Sequence, residues 1–150
     1  MAKTIWTSNL NTGIEVIDKQ HKMIVDYINQ LDDARTGGGK RELVAKVIDN
    51  LVGYTISHFK YEERLLEEAR YPFLKAHKNI HEAFVKRVGE YQERFKLGED
   101  ISEELHKLMF NWLFGHIKYE DMDYVSVVRN VPAPDDFVEN RKGLFGRIFA

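Results

Sequence analysis

The chain contains no cysteine. That excludes disulfide frameworks, thiolate zinc, cysteine-ligated iron–sulfur clusters and thiol catalysis. It has no excess of either charge, with 22 basic against 24 acidic residues and a formal net charge of -2, so nothing marks a nucleic acid as a partner. No apolar run approaches the length needed to span a membrane. The opening "MAKTIWTSNLNTGIEV" carries one lysine, no long apolar stretch and no small-residue cleavage pattern, so it does not read as a signal peptide. These absences lead us to expect a cytoplasmic protein. Proline is scarce, at three residues, and each stands where a helix is expected to start or stop.

What is present is helical periodicity. With 150 residues the chain has room for one domain with a core that needs no covalent staple. From Asp18, a good N-cap residue, His21, Ile24, Val25, Ile28 and Leu31 recur at three- and four-residue spacing. Trp6, Ile14 and Ile17, in an irregular N-terminal arm, are candidates to pack back on the body. Gly37–Gly39 end the first helix. A second runs from about Lys40 to Ala69 along the stripe Leu43, Val47, Leu51, Tyr54, His58, Glu62 or Tyr61, and Leu65. Pro72 suits the first turn of a third, whose stripe is Phe73, His77, His81 with Ile80, Phe84, Val88, Tyr91 and Phe95, with Gly98 at its end. A fourth, from about Ile101 to Val128, presents Leu105, Leu108, Met109, Trp112, Leu113, His116 and Ile117. Pro132 and Pro134 block its continuation. Alternation of the strand type is absent over any useful length. The pattern predicts an all-α, up-down-up-down antiparallel four-helix bundle over residues 1–131, with a C-terminal extension at 132–150.

The apolar stripes carry residues that a plain core would not choose. His21, His58, His77, His81 and His116 each occupy a position where leucine or isoleucine would pack better, and Glu62 joins them one turn after His58. In an antiparallel bundle these positions can share one level. Burying five imidazoles and a carboxylate unpaired would cost several kcal/mol by the rough scale for buried polar groups. Burial also favours neutral imidazoles with lone pairs to donate, and a metal resolves both problems. The donor set exceeds the needs of one first-row ion, so two ions are the economical answer, and imidazole mixed with carboxylate suits Fe(II), Mn(II) or Zn(II). The carboxylate-rich pattern with E-x-x-H on two helices is not met. Glu103 with His106 is its one match, and His106 reads as a surface or outer group. A further carboxylate is expected from "HIKYEDMDY". In a regular α-helix Glu120 stands near the His116 face and Asp121 about 140° round it, so spacing favours Glu120 unless the helix widens locally.

The combination of His21 in "IDKQH" with "HFKYEERLL", "HKNIH" and "HIKYED" resembles the hemerythrin family, in its single-domain bacterial form, over about residues 10–125. The resemblance implies a non-heme diiron centre of two iron ions, cycling between Fe2+ and Fe3+, with an oxo or hydroxo bridge. It assigns His77, His81 and His116 to one iron and His21 and His58 to the other, and it makes Glu62 and Asp121 bridges. One iron is then full and the other keeps an open position. The implied function is reversible dioxygen binding for storage, delivery or scavenging, by a protein that is not an enzyme. Ile24, Phe59, Trp112, Leu113 and Ile117 correspond to the apolar lining of the ligand pocket. An oxygen, redox or nitric oxide sensor and a diiron enzyme acting on peroxide or nitric oxide are the alternatives.

Several groups lie outside that pattern. Glu63 and Glu67 read as solvated faces. Tyr119 and Tyr124 are candidates to support the metal site from outside, as are Tyr54 and Tyr61 from the bundle interior. The tail places Phe137, Leu144, Phe145, Ile148 and Phe149 beside Arg141, Lys142 and Arg147. Packing on the parent domain, or disorder, is expected of it, and docking to a partner or a membrane surface is the alternative.

Overall fold

The computed structural model describes residues 6–38 and 40–128. A 3-10 turn, Ser8–Leu10, leads into α1 (Glu15–Thr36), followed by α2 (Arg41–Glu68), α3 (Leu74–Lys96) and α4 (Ser102–His116). A π-helical turn, Ile117–Asp121, carries the last of these without a break into α5 (Met122–Val128), so α4, the π turn and α5 make the fourth rod of a bundle. The first rod packs on the second and the fourth, and the second on the third. No strand occurs among the described residues, and no helix there is long and apolar enough to cross a membrane. The expected tail lies outside the described residues.

Two of the turns are built alike. After α2, the Tyr71 amide reaches back to Leu66 and the Arg70 amide to Glu67, with Arg70 at φ 55. After α3, the Glu99 amide reaches Arg94 and the Gly98 amide Phe95, with Gly98 at φ 100. This is the left-handed exit that satisfies the last carbonyls of a helix. Pro72 sits in the turn itself, two residues before α3 begins, where its missing amide costs no helical hydrogen bond.

The start of α1 differs from the sequence reading. The helix begins at Glu15, and Asp18 lies inside its first turns rather than capping it. Its carboxylate reaches backwards instead. It accepts from the Thr12 amide and hydroxyl, both at 2.8 Å, and from the Gly13 amide at 3.1 Å. Asp18 therefore ties the N-terminal arm to α1, and that arm returns to the body as expected. Ile17 is buried, and Trp6 and Ile14 pack partly buried against the core. Two stripe residues do not face inward. Leu43 is 50% and Phe73 65% exposed, because each stands at a helix end where the stripe has rotated off the core. Val44 and Ile48 take up the inner face of α2 in place of Leu43.

The core has two apolar parts. The larger holds Ile24, Ile28, Leu31, Val47, Leu51, Phe59, Phe84, Val88, Leu105, Met109, Leu113 and Ile117 among others. The smaller holds Ile17, Tyr61, Leu65, Leu66, Tyr71, Tyr124 and Val128. His106 is buried beside the larger part, not on the surface, and its Nδ1 has no hydrogen-bond partner. Desolvation lowers its pKa below the usual histidine value, Asp32 opposes this, and Arg35 adds to it.

Asp18→Ala should destabilise the protein by about 2–3 kcal/mol, since it strips three donors of a charged acceptor, with helix content kept. Urea unfolding followed by circular dichroism measures this. His106 should make stability depend on pH with a definite sign. Below the ordinary histidine pKa the unfolded chain takes up a proton there that the folded chain refuses, so stability falls as pH drops through that window. In His106→Gln the loss between pH 8 and pH 5.5 should be smaller than in the parent chain, as read from paired denaturation curves.

Candidate metal centre

Between the two apolar parts lies one polar layer, and every rod crosses it once. On α1 His21 separates Ile17 from Ile24. On α2 His58 and Glu62 lie between Leu51 and Leu65. On α3 His77 and His81 lie between Leu74 and Phe84. On the fourth rod His116 and Asp121 lie between Leu113 and Tyr124. The layer is closed to solvent, with none of these seven residues more than 3% exposed and Glu62, His21 and Asp121 at 0%.

The imidazoles turn their Nε2 atoms inward. Glu62 Oε1 lies 2.5 Å from His77 Nε2 and 3.1 Å from His81 Nε2, while Oε2 lies 3.4 Å from His58 Nε2. Asp121 divides its oxygens in the same way. Its Oδ1 lies 3.0 Å from His116 Nε2 and 3.3 Å from His77 Nε2, and its Oδ2 lies 3.1 Å from His21 Nε2. The donors fall into two groups sharing one carboxylate, Glu62 with His77, His81 and His116, and Glu62 with His21, His58 and Asp121. Within each group the donor atoms all lie within 4.8 Å of one another.

The fourth rod explains why Asp121 rather than Glu120 faces inward. A regular α-helix would turn residue 121 away from His116, but Ile117–Asp121 is π-helical, with its wider i to i+5 repeat. Asp121 is thereby brought under His116, and Glu120 moves to the outer flank, 33% exposed at its side chain. Its Oε2 lies 3.6 Å from His116 Nδ1. The two acidic neighbours thus meet opposite nitrogens of the same ring.

The electrostatics follow from burial and crowding. Burial alone would raise Glu62, yet the imidazoles of His116, His58, His77 and His81 crowded around it hold it well below the usual carboxylate range. Asp121 is likewise pushed up by burial and by Glu62, but His116 and His21 prevail and lower it. His77 loses to burial and gains more from Asp121 and Glu62, ending at about 9, and His116 also rises. His58 goes the other way because desolvation dominates there. Two negative carboxylates in a closed layer demand positive charge close by, supplied either by protons on imidazoles or by cations in their place.

Outer partners hold the rings. Gln20 Oε1 lies 2.6 Å from His58 Nδ1, and Glu63 Oε2 lies 2.7 Å from His81 Nδ1. Glu63 is therefore more than a solvated face, half-buried with its carboxylate on the His81 ring, while Glu67 is exposed as expected. Of the tyrosines, Tyr124 is fully buried and its hydroxyl donates to Glu62 Oε2 at 3.0 Å. Burial, Glu62 and Asp121 keep that phenol protonated. Tyr119 is 66% exposed and supports nothing in the layer. Tyr54 packs on Tyr27 in the larger apolar part, and Tyr61 is buried in the smaller one. The apolar residues expected to line a ligand pocket lie on or near the layer. Phe59 stacks on His81 at 3.9 Å and Trp112 on His116 at 4.4 Å, while Ile24, Leu113 and Ile117 are buried. Phe84, read from sequence only as core, stacks on Trp112 at 3.8 Å.

The donor chemistry fits metal ions. His21 Nε2, His58 Nε2 and both Asp121 oxygens are buried without a hydrogen-bond partner, and the His81 and His116 Nε2 atoms stand 3.0 Å apart. Nitrogen lone pairs so close repel unless a proton or a cation lies between them. Five inward nitrogens and two carboxylates are a borderline-soft set suited to first-row ions.

The model of the hemerythrin HHE cation-binding domain matches residues 12–128. The chain belongs to the hemerythrin family. It is 52% identical over 130 residues to a bacteriohemerythrin of Pseudomonas aeruginosa, covering 87% of this chain and 84% of that protein. A bacteriohemerythrin of Stenotrophomonas maltophilia is 50% identical over 129 residues, covering 86% and 84%. A solved wild-type hemerythrin superposes with a TM-score of 0.79 at 32% identity, covering 85% of this chain and 98% of its own. The hemerythrin match takes in the whole polar layer and stops at the last residue of α5.

Replacing Asp121 by Ala should remove about one metal equivalent from this chain, whereas Glu120→Ala should keep full stoichiometry with weaker retention, on the scale of outer-group mutations. Elemental analysis after dialysis against chelator separates the two. Full metal content in the Asp121 variant would contradict the role drawn from its position.

Proposed function

We propose that the polar layer holds two iron ions and binds dioxygen reversibly. His77, His81 and His116 would hold one ion and His21 and His58 the other, with Glu62 and Asp121 shared and an oxo or hydroxo group as the remaining bridge. The observation that carries this reading is the unequal division of imidazoles around the shared Glu62, three on one side and two on the other, with Asp121 turning one oxygen to His116 and the other to His21. Equal carboxylate sharing then leaves the two-histidine side one donor short, which is what a small incoming ligand requires. When bound, the irons supply the two electrons that dioxygen takes up on binding and returns on release.

The chain's own residues supply the rest. The layer is closed to water, and Ile24, Phe59, Trp112, Leu113 and Ile117 add no acid to the apolar lining. A pocket without a placed proton donor favours holding oxygen over cleaving it, which supports a carrier over an enzyme. Tyr124 donates to Glu62 Oε2, fixing the carboxylate while its other oxygen faces His77 and His81. Storage, delivery or scavenging of oxygen are the cellular roles such a carrier serves.

The test is optical. Purified protein, reduced without oxygen and then exposed to air, should develop a visible charge-transfer band that persists for minutes and disappears on degassing, at about two irons per chain. Prompt conversion to an oxidised form that no longer responds to oxygen would overturn the carrier reading. One zinc per chain in place of iron would overturn the diiron assignment.

A further inference from the structure

The outer faces of the two groups are not alike. On the three-histidine side, His81 Nδ1 meets the Glu63 carboxylate at 2.7 Å, while His116 Nδ1, without a hydrogen-bond partner, has the Glu120 carboxylate charge 3.6 Å away. On the two-histidine side, His58 Nδ1 meets the neutral amide oxygen of Gln20 at 2.6 Å, and His21 Nδ1 is buried without a hydrogen-bond partner. Each inward nitrogen donates to a metal more strongly when the opposite N–H is given to a carboxylate than when it is given to an amide or to nothing.

We propose that Glu63, supported by Glu120, makes the His77–His81–His116 side the tighter half of the centre, filled first and emptied last, and that Gln20 leaves the His21–His58 side the weaker half. This rests on the diiron reading above. Glu63 is a positioning residue, since it acts through His81. Its effect is largely one of charge, because the rings are already held in plane by other contacts. His81 lies against Phe59 with 7° between the planes, and His116 against Trp112 with 17°. A carboxylate is not needed to orient rings so clamped. The Glu63 side chain is 22% exposed, so it keeps part of its hydration while still reaching a ring that is 2% exposed.

The arrangement also places the stronger binding where no open position is needed. The half with three imidazoles anchors the pair, and the half that must accept a ligand is held by weaker donors. A centre built this way loses its second ion before its first.

Anaerobic titration of the metal-free full chain with ferrous ion, against a competing chelator, tests the proposal. The parent chain should bind in two resolved steps. Glu63→Gln keeps an acceptor of the same shape and removes the charge, and it should weaken the first step by about 10–100-fold with the second step little changed. Gln20→Glu should do the reverse, strengthening the second step so that the two converge, a gain that loss of packing cannot produce. Unchanged first-step affinity in Glu63→Gln would overturn the proposal, as would an unchanged second step in Gln20→Glu. His81→Ala separates this from the underlying reading. If His81→Ala retains both ions, the ligand assignment fails. If it loses the first step while Glu63→Gln does not, the assignment stands and only the role of Glu63 falls.

Discussion

Two carboxylates and five imidazoles packed into a layer closed to water form the constraint on which this bundle is organised. Left alone, such a layer would be a heavy liability, because desolvation penalises every charged form it contains. Its neighbours make it tolerable. Apolar clusters lie on either side, and each carboxylate oxygen faces at least one imidazole nitrogen. All four rods must cross at one level for this to work, so the helix lengths and turns are subordinate to the register of a single layer.

The helices meet that demand in two ways. On α2 and α3 the paired donors stand four residues apart, and the ordinary α-helical repeat places them on one face. On the fourth rod the donors are five apart, and the chain accommodates them by opening the helix into a π turn. The widening brings Asp121 inward and lets α5 resume with Tyr124 also inward, against Glu62. One extra residue in the turn thus serves both the carboxylate and the phenol that steadies its counterpart.

Much of this was legible in the sequence. Histidines on apolar stripes revealed both the bundle and the level at which the rods meet, because periodicity reports faces directly. Helix ends were less legible. Asp18 has the chemistry of a cap, but its carboxylate is used to grip Thr12 and Gly13, six and five residues back, which capping preference does not encode. Leu43 and Phe73 fit the stripes and still face solvent, since a stripe says nothing about where the neighbouring rod stops covering it. His106 reads as a surface or outer group because its spacing excludes it as a ligand, and spacing does not report what packs around it. The choice between Glu120 and Asp121 turned on helix type, which the identity of five residues does not announce.

Glu63 was hidden for a related reason, and it connects two of the acidic doublets of the chain. In "EE" at 62–63 and "ED" at 120–121, one residue faces the inner nitrogens and its neighbour reaches the outer nitrogen of a histidine in the same layer. Helical geometry makes this natural, since consecutive residues diverge by about 100° and can straddle an imidazole ring from either edge. An acidic residue beside an inward one is easily discounted as solvated surface, because its own stripe is polar. What distinguishes it is the ring within its reach. On α2 that ring belongs to another helix, and on the fourth rod it belongs to the same one, brought between the two acids by the π turn. The outer carboxylates therefore follow from the same registers that assemble the inner ones, and the charge asymmetry between the two halves of the layer comes from α1, which offers Gln20 beside His21 where the other doublets offer an acid.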